Sequence, residues 1–142
     1  MVEERTAPDL ASLECRERPR TTGTPADLEL IHNRALLAAH AALDVKADDV
    51  KILDMHELVT YTDFLVLCTG RNSRLTKRIA EEIGFRMKTQ ESVLPMGTEG
   101  TAEGDWILLD YGDFVVHVFT PEAREFYRLD VLWKQAPIES VE

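Results

Sequence analysis

Long apolar runs, a set of paired cysteines and an excess of positive charge are all missing from this chain of 142 residues. No apolar stretch approaches the roughly 20 residues that a membrane-crossing helix requires, so no membrane association is expected. The two cysteines, Cys15 in a polar stretch and Cys68 inside an apolar run, provide neither a disulfide framework nor metal-ligand spacing. A reducing compartment fits that pattern. With 16 Lys and Arg against 26 Asp and Glu, the formal net charge is −10, which argues against a protein whose main task is to neutralise nucleic-acid phosphates. The arginines near the start are interleaved with Glu3, Glu4, Asp9, Glu14 and Glu17. Transit peptides are poor in acids, so no targeting segment is expected and the predicted location is cytoplasmic. Internal repeats and low-complexity segments are absent as well.

What remains is the composition of a soluble globular protein, 44% hydrophobic and 30% charged, at a length that suits one domain with its own core. Residues 1–23 mix Glu, Arg, Pro and Thr with little apolar periodicity and are expected to form a flexible tail. The domain proper is predicted over 24–137, where Pro137 ends ordered structure, and 138–142 form a C-terminal tail.

Thr24-Pro25-Ala26-Asp27 carries the signature of a helix start, with Thr24 as N-cap and Pro25 at the first helical position. The helix should run to about Leu43, burying Leu28, Ile31, Ala35, Ala38 or Ala39, and Ala42, and leaving His32 and His40 facing solvent. Val50 to Met55 and Asp63 to Thr69 read as strands, the second apolar enough to be buried on both faces. Gly70-Arg71-Asn72-Ser73 then leads into a helix carried by Leu75, Ile79, Ile83 and Met87 at four-residue spacing. Val93 to Met96 reads as a short strand before a loop with three glycines, Gly97, Gly100 and Gly104. The most informative stretch follows: two β-prone segments, Trp106 to Tyr111 and Phe114 to Phe119, flank Gly112-Asp113 and predict a β-hairpin at the centre of one sheet. Thr120-Pro121-Glu122 starts a helix through Tyr127, with a further turn over Leu129 to Trp133.

Chemistry-bearing residues are few. The Gly70 turn has the position of an anion cradle but lacks the further glycines and the Lys-Ser or Lys-Thr of a phosphate-binding loop, so a βα turn capped by Asn72 or Ser73 is the preferred reading. Arg71, Arg74, Lys77, Arg78, Arg86 and Lys88 offer a minor contact for RNA, although the interspersed Glu81 and Glu82 favour a solvated face laced with ion pairs. Asp110 and Asp113 are three apart with a glycine between them, whereas paired catalytic acids on a strand converge at a spacing of two. An enzyme binding nucleotide or metal through the Gly70 turn and these two acids is the alternative reading. His117 is expected to be a buried histidine satisfied by a hydrogen bond. Trp106, opening a strand directly after an acidic glycine loop, is expected to be partly exposed, in the manner of the aromatic anchors that dominate interfaces. From Ser92 to Glu142 ten acids face three Lys or Arg, whereas Arg71 to Glu91 holds six bases against three acids. An acidic body of this kind suits a basic protein partner.

Taken together, Asp63-Phe64-Leu65-Val66 leading to Thr69-Gly70-Arg71-Asn72-Ser73-Arg74, Gly97-Thr98-Glu99-Gly100, Trp106 to Asp113, Val116-His117-Val118-Phe119 and Arg124 to Asp130 before Leu132-Trp133 resemble the ribosomal silencing factor family, also called the Iojap family. The resemblance covers about residues 26 to 137. It implies a single-domain α/β fold with a mixed β-sheet covered by helices, similar to nucleotidyltransferases but without their catalytic acids, no enzymatic activity and no cofactor. It further implies binding to the large ribosomal subunit through its fourteenth protein, protein L fourteen, which blocks association with the small subunit and represses translation when nutrients are scarce. Homodimers of the free protein are common in the family. The contact surface it implies centres here on Trp106, Ile107 and Asp110, with Glu99 and Asp113 at its rim. The Arg71-Asn72-Ser73 turn and the long N-terminal tail depart from the shared pattern.

Overall fold

The computed structural model describes residues 25–59, 61–128 and 134–142. Residues 1–23, the Thr24 cap and the expected turn over 129–133 lie outside them. Helix α1 (Pro25–Asp44) buries Ile31, Ala35, Ala38, Ala39, Ala41 and Ala42, a stripe whose small side chains bring the helix close to its neighbours. Leu28 is only half-buried, His40 is exposed as expected, and His32 is partly exposed and also makes a contact. Its Nε2 lies 2.7 Å from Glu139 Oε1, so it bridges α1 to the C-terminal end of the chain.

A left-handed residue, Lys46 (φ 73°), turns the chain into β1 (Asp48–Asp54), which pairs antiparallel with β2 (Phe64–Thr69) across a bulge at Asp49. All six residues of β2 are buried. The reason is its place in the sheet and its alternation: Phe64, Val66 and Cys68 face one core, Leu65 and Leu67 the other. Helix α2 (Ser73–Glu91) follows, opened by Asn72, whose Oδ1 accepts from the Leu75 amide at 2.9 Å. It buries Ile79, Ile83 and Met87 as the spacing predicts. The helix ends at Ser92 in the left-handed region, and Val93 N–H donates to the Met87 carbonyl.

The expected strand over Val93 to Met96 is displaced: β3 is Gly97–Glu99. Pro95 has no N–H to donate, and pairing starts only where the Met96 amide reaches the Asp110 carbonyl. β4 (Trp106–Asp110) and β5 (Phe114–Phe119) form the expected hairpin, turning at Gly112 with φ 85°. Helix α3 (Pro121–Tyr127) is capped by Thr120, whose hydroxyl oxygen accepts from the Ala123 amide. The chain after Pro137 is not a tail. Ile138–Ser140 form β6 against β1, the Asp54 amide donates to the Pro137 carbonyl, and Val141 is buried. All three β6 residues are exposed, so main-chain pairing holds the strand and no apolar pattern announces it.

The strand order is β3-β4-β5-β2-β1-β6, a mixed six-stranded sheet in a single-domain α/β fold, with the parallel β2–β5 pair at its centre. Helices α1 and α2 cover one face, over Val66, Cys68, Ile107, Leu109, Val116 and Val118. The opposite face collects Leu53, Leu65, Leu67, Trp106, Leu108, Val115 and Phe119 with Ala123 of α3 and Ala136. Each fully buried Leu, Ile or Phe contributes about 1.5–3 kcal/mol of transfer free energy, so the hairpin strands are structural on both sides.

Candidate functional site

The hairpin holds most of the residues singled out above. Trp106 is 2% exposed, and Ile107 and Asp110 are equally buried. The expectation of a partly exposed indole is therefore overturned. Strand β4 does begin at the end of a glycine loop, but α3 returns over its face, so that the indole meets Tyr127 at 4.4 Å and Phe119 at 5.1 Å between ring centroids. Its Nε1–H donates to His117 Nδ1 at 2.9 Å. His117 is thus the satisfied buried histidine that the sequence predicts, neutral, with burial pushing its pKa down to about 3. So low a pKa makes it a poor general base near neutral pH.

Asp110 is committed to its own turn: Oδ1 accepts from the Gly112 amide at 2.8 Å. Asp113 is half-buried, and its carbonyl accepts from the Asp63 amide at 2.9 Å. Among the described residues, no group of three His, Cys, Asp or Glu side chains is placed to hold a metal ion. Cys68 lies fully inside the sheet, where burial raises its pKa to about 12 and suppresses the reactive thiolate.

At Gly70 itself the backbone is already engaged. A Cβ at Gly70 would lie 2.9 Å from both the Thr76 backbone nitrogen and the Thr76 side chain, and the Gly70 amide is used by the Phe119 carbonyl at 2.7 Å. Glycine is needed here for the close approach of α2 to the strand end. The acidic loop is pinned at two further glycines. Gly100 (φ 81°) passes so close to β4 that a Cβ would fall 1.9 Å from the Trp106 carbonyl oxygen. Gly104 packs on the first turn of α2, where its carbonyl accepts from the Thr76 hydroxyl.

The accessible part of this region is its edge. Among the described residues β3 is the outermost strand and pairs with β4 alone, in the register Gly97↔Asp110, Thr98↔Leu109 and Glu99↔Leu108. Beside it, between α2 and the β3–β4 pair, lies a groove of about 350 Å³ lined by Lys77, Ala80, Gly84, Pro95 and Thr98, with Ile107 and Leu109 in its floor. Three large apolar side chains adjoin its lining residues in sequence: Phe85, after Gly84, and Leu94 and Met96, on either side of Pro95, are 62%, 65% and 62% exposed. Met96 also reaches the hairpin turn, since a Cβ at Gly112 would meet its Sδ at 2.8 Å. Of the acids in these elements, Glu81 lines the groove, Glu99 on β3 and Glu103 in the loop are exposed, and Asp113 follows Gly112 in the hairpin turn. Of the five residues expected from the sequence, Ile107 lies in the groove floor, Trp106 is buried on the opposite face of the sheet under α3, Asp110 is buried at the hairpin turn, Glu99 is exposed on β3 opposite Leu108, and Asp113 is half-buried beside Gly112. Phe85, Leu94 and Met96 were not singled out from the sequence. Phe85 carried a signal, because it falls off the Ile79, Ile83, Met87 stripe and so had to face away from the core.

Comparison with known proteins gives this edge a context. The sequence model of the family described as "Ribosomal silencing factor during starvation" matches residues 29–142. The chain is 34% identical over 106 residues to the protein named ribosomal silencing factor RsfS of Bacillus subtilis, covering 75% of this chain and 89% of the relative. It is 35% identical over 106 residues to the maize protein named Iojap, chloroplastic, covering 74% of this chain and 46% of that one. A crystal structure of a protein from Chromobacterium violaceum superposes with a TM-score of 0.71 at 34% identity, over 73% of this chain and 86% of the other. On sequence and fold alike, the chain belongs to the ribosomal silencing factor family, RsfS.

Proposed function

We propose that this protein binds the large ribosomal subunit through its fourteenth protein and represses translation by occupying space that the small subunit needs. It works in the cytoplasm, where the ribosomes are, and its action is steric. The observation that carries this reading is an apolar groove at an open sheet edge, with Glu81 in its lining and the strongly exposed Phe85, Leu94 and Met96 next in sequence to the lining residues Gly84 and Pro95, in a member of this family. Exposed apolar side chains beside a groove suit an interaction site, and acidic side chains in the same elements suit a basic ribosomal protein. Trp106, Ile107 and Asp110 serve the contact indirectly, by holding in place β4, the strand with which β3 pairs.

Sucrose-gradient sedimentation with purified subunits tests the proposal. The protein should travel with large subunits and lower the yield of joined ribosomes. Met96→Asp and Leu94→Asp, both at exposed positions, should fold normally and lose co-sedimentation. Migration of the unmodified protein only at the top of the gradient would refute the ribosomal role. Binding untouched by both substitutions would refute this edge as the contact.

A further inference from the structure

The basic side chains of α2 divide into two groups. Arg86 is held by Asp44 at 2.7 Å and Glu82 at 2.9 Å, and Arg78 reaches Glu82 at 3.1 Å, so the middle of the helix is laced with ion pairs as the sequence suggests. The first turn is different. Arg71, Arg74 and Lys77 are exposed and make no ion pair among the described residues. Arg71, Arg74 and Arg78 share a shallow concavity of about 310 Å³ with Asn72 and Leu75. Four positive charges thus fall within Arg71 to Arg78, a stretch without one Asp or Glu, on a chain whose net charge is −10.

We propose that this turn of α2 is a second contact surface, which binds the phosphate backbone of ribosomal RNA beside the protein contact. The inference rests on the ribosomal reading above and extends it from a protein partner to RNA. Planar guanidinium forks bind phosphate oxygens in bidentate fashion, and Arg74 and Arg78, one helical turn apart, stand about 6 Å from each other along the axis. The acidic remainder of the molecule repels nucleic acid, so RNA is accepted only in an orientation that presents this turn. Continuity with the proposed protein contact favours RNA further. Lys77 belongs to the basic turn and also lines the apolar groove, and its Cε approaches Gly104 of the acidic loop. A ribosomal surface where a basic protein borders RNA offers both complements side by side.

The experiment compares the full-length protein with the variant Arg71→Gln, Arg74→Gln, Arg78→Gln, all at exposed positions, with circular dichroism confirming its helix content. Affinity for purified large subunits is measured as a function of salt. The triple variant should bind at least about tenfold more weakly at low salt, with a log–log salt slope reduced by about two to three. In parallel, a fluorescein-labelled RNA hairpin should bind the unmodified protein at low salt and lose the triple variant. Unchanged affinity and slope in the triple variant, with binding still abolished by Leu94→Asp, would overturn the RNA surface and leave the protein contact standing. Arginine-dependent hairpin binding by a protein that ignores large subunits would support the RNA surface and overturn the ribosomal reading. Displacement of the hairpin by polyglutamate as readily as by polyphosphate would assign the turn to an acidic protein and overturn the proposal.

Discussion

The Trp106 indole N–H donates to Nδ1 of His117 at 2.9 Å, diagonally across the β4–β5 pair and inside the core beneath α3. This bond fixes the histidine as the neutral tautomer protonated at Nε2. It also makes the tryptophan a structural residue.

Trp106→Ala should therefore act first on stability, at about 3–5 kcal/mol, the usual cost of emptying a large aromatic site in a core. His117→Phe should cost about 1–3 kcal/mol, because the indole N–H keeps its burial and loses its acceptor. Urea denaturation at neutral pH measures both. A Trp106→Ala protein of unchanged stability that fails only in subunit binding would contradict the buried indole.

The depressed pKa of His117 predicts acid sensitivity. The unfolded chain binds a proton near pH 6.5, the usual histidine value, whereas the folded chain resists protonation down to about 3. Its contribution is thus complete above about pH 6.5 and shrinks as pH falls towards 3, by a few kcal/mol in all. Urea midpoints at pH 7.5, 6 and 5 should fall in that order more steeply than in His117→Phe. An imidazole resonance of His117 titrating between pH 6 and 7 in the folded protein would show the expectation to be wrong.

Two glycines should respond in opposite directions. Gly100→Ala places a methyl group 1.9 Å from the Trp106 carbonyl oxygen at a positive φ, so β3 must shift and stability should drop by more than about 1 kcal/mol. Gly84, inside α2 with open space around it, should gain about 0.5–1 kcal/mol of stability as alanine. Thermal melts of the two variants test the pair, and a stabilised Gly100→Ala would contradict the close approach of the loop.

Arg124 ties α3 to the sheet: its Nη1 donates to the Asp49 carbonyl at 2.8 Å and to Thr69 Oγ1 at 3.0 Å, and Nη2 lies 3.2 Å from Asp49 Oδ2. Arg124→Ala leaves the buried Thr69 hydroxyl and the Asp49 carbonyl without this donor and should cost about 1–3 kcal/mol, while Arg124→Lys, which lacks the planar fork, should recover part of it. Denaturation of the two variants is the check, and indistinguishable values would show that the fork geometry is irrelevant.

Much of this architecture was legible in the chain. The helix over Ile31 to Ala42, the doubly buried Phe64 to Thr69, the caps at Asn72 and Thr120 and the hairpin around Gly112 follow from periodicity and local hydrogen bonding, which act within a few residues. β6 was not legible, because three exposed residues held by backbone bonds to β1 leave no side-chain pattern. The strand expected at Val93 was displaced because Pro95 cannot donate to a ladder, a local signal that the apolar run outweighed.

The candidate site divides along the same line. Residue order and spacing were enough to mark the hairpin as central and to predict a satisfied His117, since alternation and turn chemistry are properties of the local backbone. Which side chains reach solvent was decided by packing between distant elements. Tyr127 and Ala123, arriving in α3 after the whole of β5, bury Trp106, while the end of α2 and the Pro95 connection leave Phe85, Leu94 and Met96 outside. Burial depends on what comes to lie over a residue in space, and for Trp106 that covering element is encoded about twenty positions further along the chain.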